Sequence, residues 1–330
     1  MKTLTVNLAL QGGGAHGAFT WGVLDRLLEE EWLEFEGISG TSAGAMNAVL
    51  LADGWRSGGR CGARAKLGQF WLAVSGSKHG FELPGKIHQP MARWLMHTTQ
   101  YVSPYDVGML DSNPLRKIVD ECISFAALRK NSPFKLYIAA TEVSSGKLRL
   151  FNEQELTSDH LLASACLPSI HRAIELDGKH YWDGGFSANP AVSPLVYDCD
   201  SHDILLVLLQ PLERGKLPMT ADSIAERVAD MGFQNTFMAE MREIVRQKSQ
   251  AHRRRFFPAR AERQLKKMRL HLLKNEELFS ELGRLTKYDN RQSFLLSLKE
   301  AGRIRAAQWL AQHRPKIGRA ASCDIQQLFG

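Results

Sequence analysis

A chain of 330 residues with 44% hydrophobic and 23% charged residues has the composition of one large or two modest globular units. It excludes disorder, collagen-like repeats and a disulfide-built miniprotein. The formal charge of +7 is local, because residues 1–200 carry 18 Lys+Arg against 21 Asp+Glu, whereas Arg246–Lys274 hold 11 basic residues against the single Glu262.

In chain order, Thr3–Gln11 reads as a first strand and makes a poor signal peptide. After a glycine run, Phe19, Val23 and Leu27 recur every four residues with Leu24 and Leu28 beside them. Asp25, Arg26 and Glu29–Glu31 fill the other side, which predicts an amphipathic helix. Phe35–Ser39 reads as a second strand, Ala43–Ala52 as a small-residue helix and Gly54–Gly62 as a loop. Ser75–Tyr105 has no sustained period and is expected to be a surface excursion or part of a lid. Asn113-Pro114 opens a helix, and Phe134–Ala140 is a buried-type strand. Ser145-Gly146 and Asp177-Gly178 mark hairpins within Glu142–Phe151 and Arg172–Trp182, and His202–Gln210 is the last strong strand.

From about Thr220 the pattern turns helical. Ile224, Val228 and Met231, then Met238, Met241 and Val245, fall at helix spacing. Near the end, Asp289 or Asn290 can cap a helix striped by Phe294, Leu298, Ala301 and Ile304. Core packing is the expected use of these stripes, with a membrane-binding face as the alternative. The longest aliphatic stretch, Ile204 to Leu209, is far shorter than the roughly 20 apolar residues of a membrane span. The five cysteines are widely spaced with no CxxC pair, which points to a reducing, cytoplasmic setting.

Two glycine motifs carry the chemistry. Gly12-Gly13-Gly14-Ala15-His16-Gly17 follows a strand and opens a helix, so backbone N–H groups converge at a positive helix end suited to an anion. The run also satisfies GxGxxG, which makes a nucleotide-binding regulatory module one reading. Gly40-Thr41-Ser42-Ala43-Gly44 is GxSxG between a strand and a helix, the setting of a nucleophile elbow. A dinucleotide domain would end that second strand in an acidic residue for the ribose. A serine nucleophile needs a base within hydrogen-bond reach. His202, downstream of Asp183, fits the Ser, acid, His order of an α/β-hydrolase, but that fold places several strands before its elbow and here there is room for two.

With Ala163-Ser164-Ala165-Cys166-Leu167-Pro168 and Asp183-Gly184-Gly185 followed by Asn189, these motifs make the chain resemble the patatin-like phospholipases, relatives of the cytosolic phospholipase A catalytic domain. The resemblance spans roughly residues 4–210. It implies a three-layer α/β/α fold with a central, mostly parallel sheet, to which 211–330 add a helical extension that caps the pocket or docks on a membrane. It also implies a Ser42-Asp183 dyad without histidine, acting through an acyl-enzyme. An oxyanion hole of backbone N–H groups would be drawn from Gly12, Gly13, Gly14 and Ala15, with Gly17, Gly40, Gly44, Gly184 and Gly185 as motif support. No cofactor is implied. The family usually carries Arg or Lys where this chain has His16.

The expected activity is hydrolysis of lipid carboxylic esters. An esterase or depolymerase for other acyl esters on the same dyad is the alternative. The remaining histidines show no HxxxH or HExxH spacing, so no metal is expected. Cys166 reads as a buried structural thiol. Arg253, Arg254 and Arg255, beside Phe256 and Phe257, form either a solvated helix face or a contact for anionic lipid; nucleic acid has no fold motif here.

Overall fold

The computed structural model describes residues 3–76, 103–106, 114–213, 215, 217–253 and 259–330. The elements run β1 (Leu4–Leu10), α1 (Gly17–Leu27), β2 (Leu33–Thr41), α2 (Ala43–Gly76), α3 (Pro114–Cys122), α4 (Phe125–Lys130), β3 (Lys135–Glu142), β4 (Leu148–Phe151), α5 (Ser158–Ser164), β5 (Ile174–Leu176), β6 (Lys179–Asp183), α6 (Ser193–Tyr197) and β7 (Asp203–Val207). The extension then supplies α7 (Ala221–Arg253), α8 (Arg260–Lys267), β8 (Arg269–Leu273), α9 (Glu276–Glu281), α10 (Gln292–His313) and α11 (Ile325–Phe329).

Hydrogen-bonded neighbours in the sheet run β5-β6-β3-β2-β1-β7-β8, with β4 also paired to β3. The β3-β2-β1-β7-β8 portion is parallel, and the pairs involving β4, β5 and β6 are antiparallel. Period-two alternation sorts side chains between two layers. Leu8, Leu10, Leu205 and Val207 face a core shared with α1, α2 and α10, while Ala9, Ile204, Leu206 and Leu208 face one shared with α6, α7 and α8.

One register detail positions the site. Ala139 pairs with both Thr41 and Leu150, and Ala140 with both Arg149 and Asp183. A strand residue has one partner on each edge, so β2 and β6 lie end to end along the same edge of β3. The ends of these two antiparallel segments, Thr41 and Asp183, therefore meet.

The structure departs from the sequence expectations at several points. Gly54–Gly62 is not a loop but lies within α2, whose backbone leaves helical geometry only at Gly58 and Gly59. Without side chains, Gly54 and Gly62 let the two halves of the kinked helix touch. Asp25 is buried rather than solvent-facing, because α10 covers α1 and brings Arg303 to it, while Arg64 donates from α2 at 2.8 Å. Burial alone would raise its pKa; the Arg64 hydrogen bond and the charges of Lys299, Arg64 and Arg303 together lower it.

The extension adds a strand as well as helices: β8 pairs in parallel with β7 from Asp203↔Arg269 to Val207↔Leu273. Met241 and Val245 are buried as expected, but Ile224, Val228 and Met231 are exposed, since α7 packs on its other side. Neither Asp289 nor Asn290 is the cap of α10; Arg291 precedes its first residue, and Asp289 instead accepts the Arg291 N–H at 3.1 Å. Most of the expected lid segment Ser75–Tyr105, the Asn113 cap, Arg254, Arg255, Phe256, Phe257 and the side chain of Arg253 lie outside the described residues. No helix among the described residues is long and apolar enough to cross a membrane.

Candidate active site

The glycine loop leaves β1 at Leu10 and passes through a short 3-10 turn, Gly14–His16, into α1. Gly12 N–H donates to Asn189 Oδ1 at 2.7 Å, Gln11 Nε2 donates to the Asn189 carbonyl at 3.3 Å, and Leu209 N–H donates to Gln11 Oε1 at 2.6 Å. Asn189 thus fastens the loop to the segment after Asp183. Expected among the oxyanion donors, Gly12 is instead engaged by Asn189. Among the described residues, no acceptor takes the N–H groups of Gly13, Gly14 or Ala15. These three line a cavity together with Ser42 and Asp183.

Ser42 sits at the tip of the β2–α2 turn with φ 54°, a left-handed conformation uncommon outside glycine. Its N–H donates to Ser164 Oγ at 3.0 Å. The turn closes so tightly that a Cβ at Gly44 would strike the Leu10 carbonyl, which explains the glycine. Across from it, Asp183 N–H donates to the Cys166 carbonyl at 2.8 Å, and its own carbonyl accepts from Thr141 Oγ1 at 2.8 Å. The buried Asp183 carboxylate accepts the Gly185 N–H at 2.7 Å, and the Ser42 side chain lies close enough to it to act on its pKa. Burial pushes its pKa up to about 7, against the opposing pull of the Gly185 N–H and the Ser42 side chain. The Ala163–Pro168 motif therefore positions both groups through Ser164 and Cys166. Burial pushes the Cys166 thiol up to about 12, so it stays protonated.

His202 precedes β7 at the opposite end of the sheet. By register it lies roughly 20 Å along the strands from Ser42, which removes it as a base. Among the described residues, no group of three or more His, Cys, Asp or Glu side chains is arranged to hold a metal ion.

The cavity measures about 600 Å³, within the usual range for small-molecule sites. Met46, Phe70, Trp71, Leu167, Ile170 and Phe233 give it a mainly apolar wall. The extension, expected to cap the pocket or dock on a membrane, lines the cavity with residues that sequence reasoning did not single out: Asp230 and Phe233 from α7, and Arg284, Lys287 and Tyr288 from the 3-10 turn Arg284–Tyr288. Lys287 Nζ pairs with Asp230 at 3.1 Å, and the Lys287 carbonyl packs so closely on Gly14 that a Cβ there would overlap it. Phe233 presses on Gly185 in the same way. Burial, with a contribution from the Asp183 charge, raises the pKa of Tyr288, while Arg284 opposes the shift. None of these contacts has a local sequence signal, because each joins segments far apart in the chain.

His16 stands where the family usually carries Arg or Lys. Its Nε2 is 2.7 Å from Thr286 Oγ1, and its ring packs on Phe279 at 5.4 Å and Phe294 at 6.5 Å between centroids. Burial, then the nearby Lys287 charge, lowers its pKa to about 3, although Asp230 opposes the shift, so the ring is neutral at physiological pH.

No curated protein matches the sequence. Among solved structures, the crystal structure of VipD from Legionella pneumophila aligns with a TM-score of 0.47 at 14% identity, over 95% of this chain and 67% of that one. The family model described as patatin-like phospholipase matches residues 8–196, more than half of the chain. The chain belongs to the patatin-like phospholipase family, whose membership implies lipid acyl hydrolysis.

Proposed function

We propose that this protein is a serine hydrolase that cleaves carboxylic esters of lipids, of phospholipase A or lysophospholipase type, with Ser42 as nucleophile and Asp183 as base. The placing of the Ser42 side chain and the buried Asp183 carboxylate on one cavity, beside the open N–H groups of Gly13, Gly14 and Ala15, carries the reading. In the first half-reaction Ser42 Oγ attacks the ester carbonyl carbon as Asp183 takes its proton. The carbonyl oxygen becomes an oxyanion facing the loop N–H groups, and loss of one such donor typically costs about 3 kcal/mol of transition-state stabilisation. Collapse expels the alcohol, which receives the proton from Asp183. Water, deprotonated by the same carboxylate, then attacks the acyl-serine carbonyl, and Asp183 returns the proton to Ser42 Oγ as the fatty acid is released.

A carboxylate held near pH 7 is a far better base than one at its ordinary value of 3.8. The apolar wall suits an acyl chain, and peripheral contact with anionic membrane through Arg253, Arg254 and Arg255 belongs to the same reading. A fluorophosphonate probe should label Ser42 alone, as mapped by mass spectrometry. Ser42→Ala should lower turnover of lysophospholipid and p-nitrophenyl esters by about a thousandfold or more. Labelling of another serine, or full activity in Ser42→Ala, refutes the dyad. Turnover confined to polyester or other non-lipid esters would instead favour a depolymerase.

A further inference from the structure

The solvent face of α7 is unlike that of an ordinary surface helix. Ile224, Val228 and Met231, spaced i, i+4, i+7, are 48%, 64% and 40% exposed, and the segment leading into the helix adds Leu217 and Met219 at 79% and 80%. Five large apolar side chains thus stand in water within 15 residues of chain. Further along the same face the exposed positions are Asn235, Ala239, Arg242 and Arg246, and from Ile224 to Arg246 no fully exposed position of the helix is acidic. The acids of that stretch are turned inward or partly covered: Asp230 pairs with Lys287, and Glu240 accepts the Val192 and Ser193 N–H groups at 3.0 and 2.8 Å. Glu243, its side chain 44% exposed to the side of the stripe, pairs with Arg246 at 2.6 Å. From Ile224 to Arg246 an apolar end and a basic end thus share one exposed face about 33 Å long.

We propose that this face, from Leu217 to Arg246, is the surface by which the protein lies on an anionic lipid interface. Apolar side chains followed by Arg242 and Arg246, along a stripe that itself carries no acid and has the exposed Asp222 and the half-exposed Glu243 side chain only to its sides, match a headgroup layer with acyl chains beneath it. A protein partner would have no need to keep acids off that stripe. The inference rests on the lipid-ester reading above for its choice of occupant, and adds where the lipid surface is met. The opposite side of the same helix supplies Asp230 and Phe233 to the cavity, so docking would hold the site about one helix diameter, roughly 10 Å, from the lipid phase.

The test is flotation with vesicles of phosphatidylcholine and phosphatidylglycerol at 7:3, using the full chain. Wild type should float with the vesicles, and the triple variant Ile224→Ser, Val228→Ser, Met231→Ser should partition at least about tenfold more weakly while keeping turnover of a monomeric p-nitrophenyl ester within twofold. Arg242→Gln should weaken binding severalfold, and only to vesicles containing phosphatidylglycerol. If the triple variant misfolds, Val228→Trp decides: tighter partition supports the proposal and unchanged partition overturns it. Wild type that does not float, or a triple variant that floats as well as wild type, also overturns it. So does a wild-type dimer that the triple variant dissolves, since the face would then meet a second copy. Ser42→Ala keeps the two readings apart, because it should float normally while losing turnover; if it kept turnover, the dyad would fail and flotation would still judge the surface.

Discussion

Residues 4–210 and 211–330 make opposite kinds of contribution. The first region supplies every group proposed to react, on short turns fixed by glycine and by the ends of strands. The second supplies cover: Phe233 on Gly185, the Lys287 carbonyl on Gly14, Tyr288 beside Asp183, and α10 along α1. The lesson lies in how the two are joined. Gly302 of α10 and Gly22 of α1 each lie against the other helix's backbone, with no room for a Cβ, and the core that includes Leu24 and Leu27 continues through Leu298, Trp309 and Leu310. A boundary that is sharp in composition is a continuous core in space.

The largest expected effect comes from cutting there. A chain ending at residue 210 loses β8 from the edge of β7 and uncovers α1, so it should be insoluble, as expression and sedimentation would show; a soluble, folded, active fragment would break the comparison. Next is the pH profile. If Asp183 must be ionised, kcat/KM should fall about tenfold per pH unit below about 7 and level off above about 8. Phe233→Ala should admit water, lower the Asp183 pKa and move that limb to lower pH.

The same group gives a stability prediction. Its folded pKa lies above its unfolded value, so the folded state binds the proton more tightly and loses stability as pH rises from about 4 to about 7. Asp183→Asn should therefore have a Tm above wild type at pH 8, with the gap closing at pH 4. Gly302→Leu should cost several kcal/mol by forcing α10 off α1, measured by denaturant unfolding. Smallest of the set, His16→Arg restores the family's usual cation into a pocket of Phe279 and Phe294. We expect roughly 1–3 kcal/mol of destabilisation, with turnover reduced less than in Ser42→Ala.

How much was legible in the sequence follows from the range of the interactions. Ser42 could be read because a serine elbow requires flanking glycines and a strand-to-helix setting, all within five residues. β8 could not, because Arg-Leu-His-Leu-Leu in a basic stretch has no period that separates strand from helix until β7 presents its edge. Ile224, Val228 and Met231 share the spacing of Met241 and Val245, yet only the latter pair is buried. Periodicity marks a face and leaves its neighbour undetermined.

By itself the sequence determined the local geometry: which turns need glycine, where strands and helices alternate, and that the positive charge collects after residue 245. Only the tertiary structure decided that Asp183 meets Ser42, through two strands sharing one edge of β3, and that Gly12 is engaged by Asn189 while Gly13, Gly14 and Ala15 remain open. It also decided that His16 is buried and neutral. The physical reason is common to all three. Backbone propensity acts over a few residues, whereas burial, hydrogen-bond partners and the pKa values they shift depend on segments brought together from more than 100 residues apart.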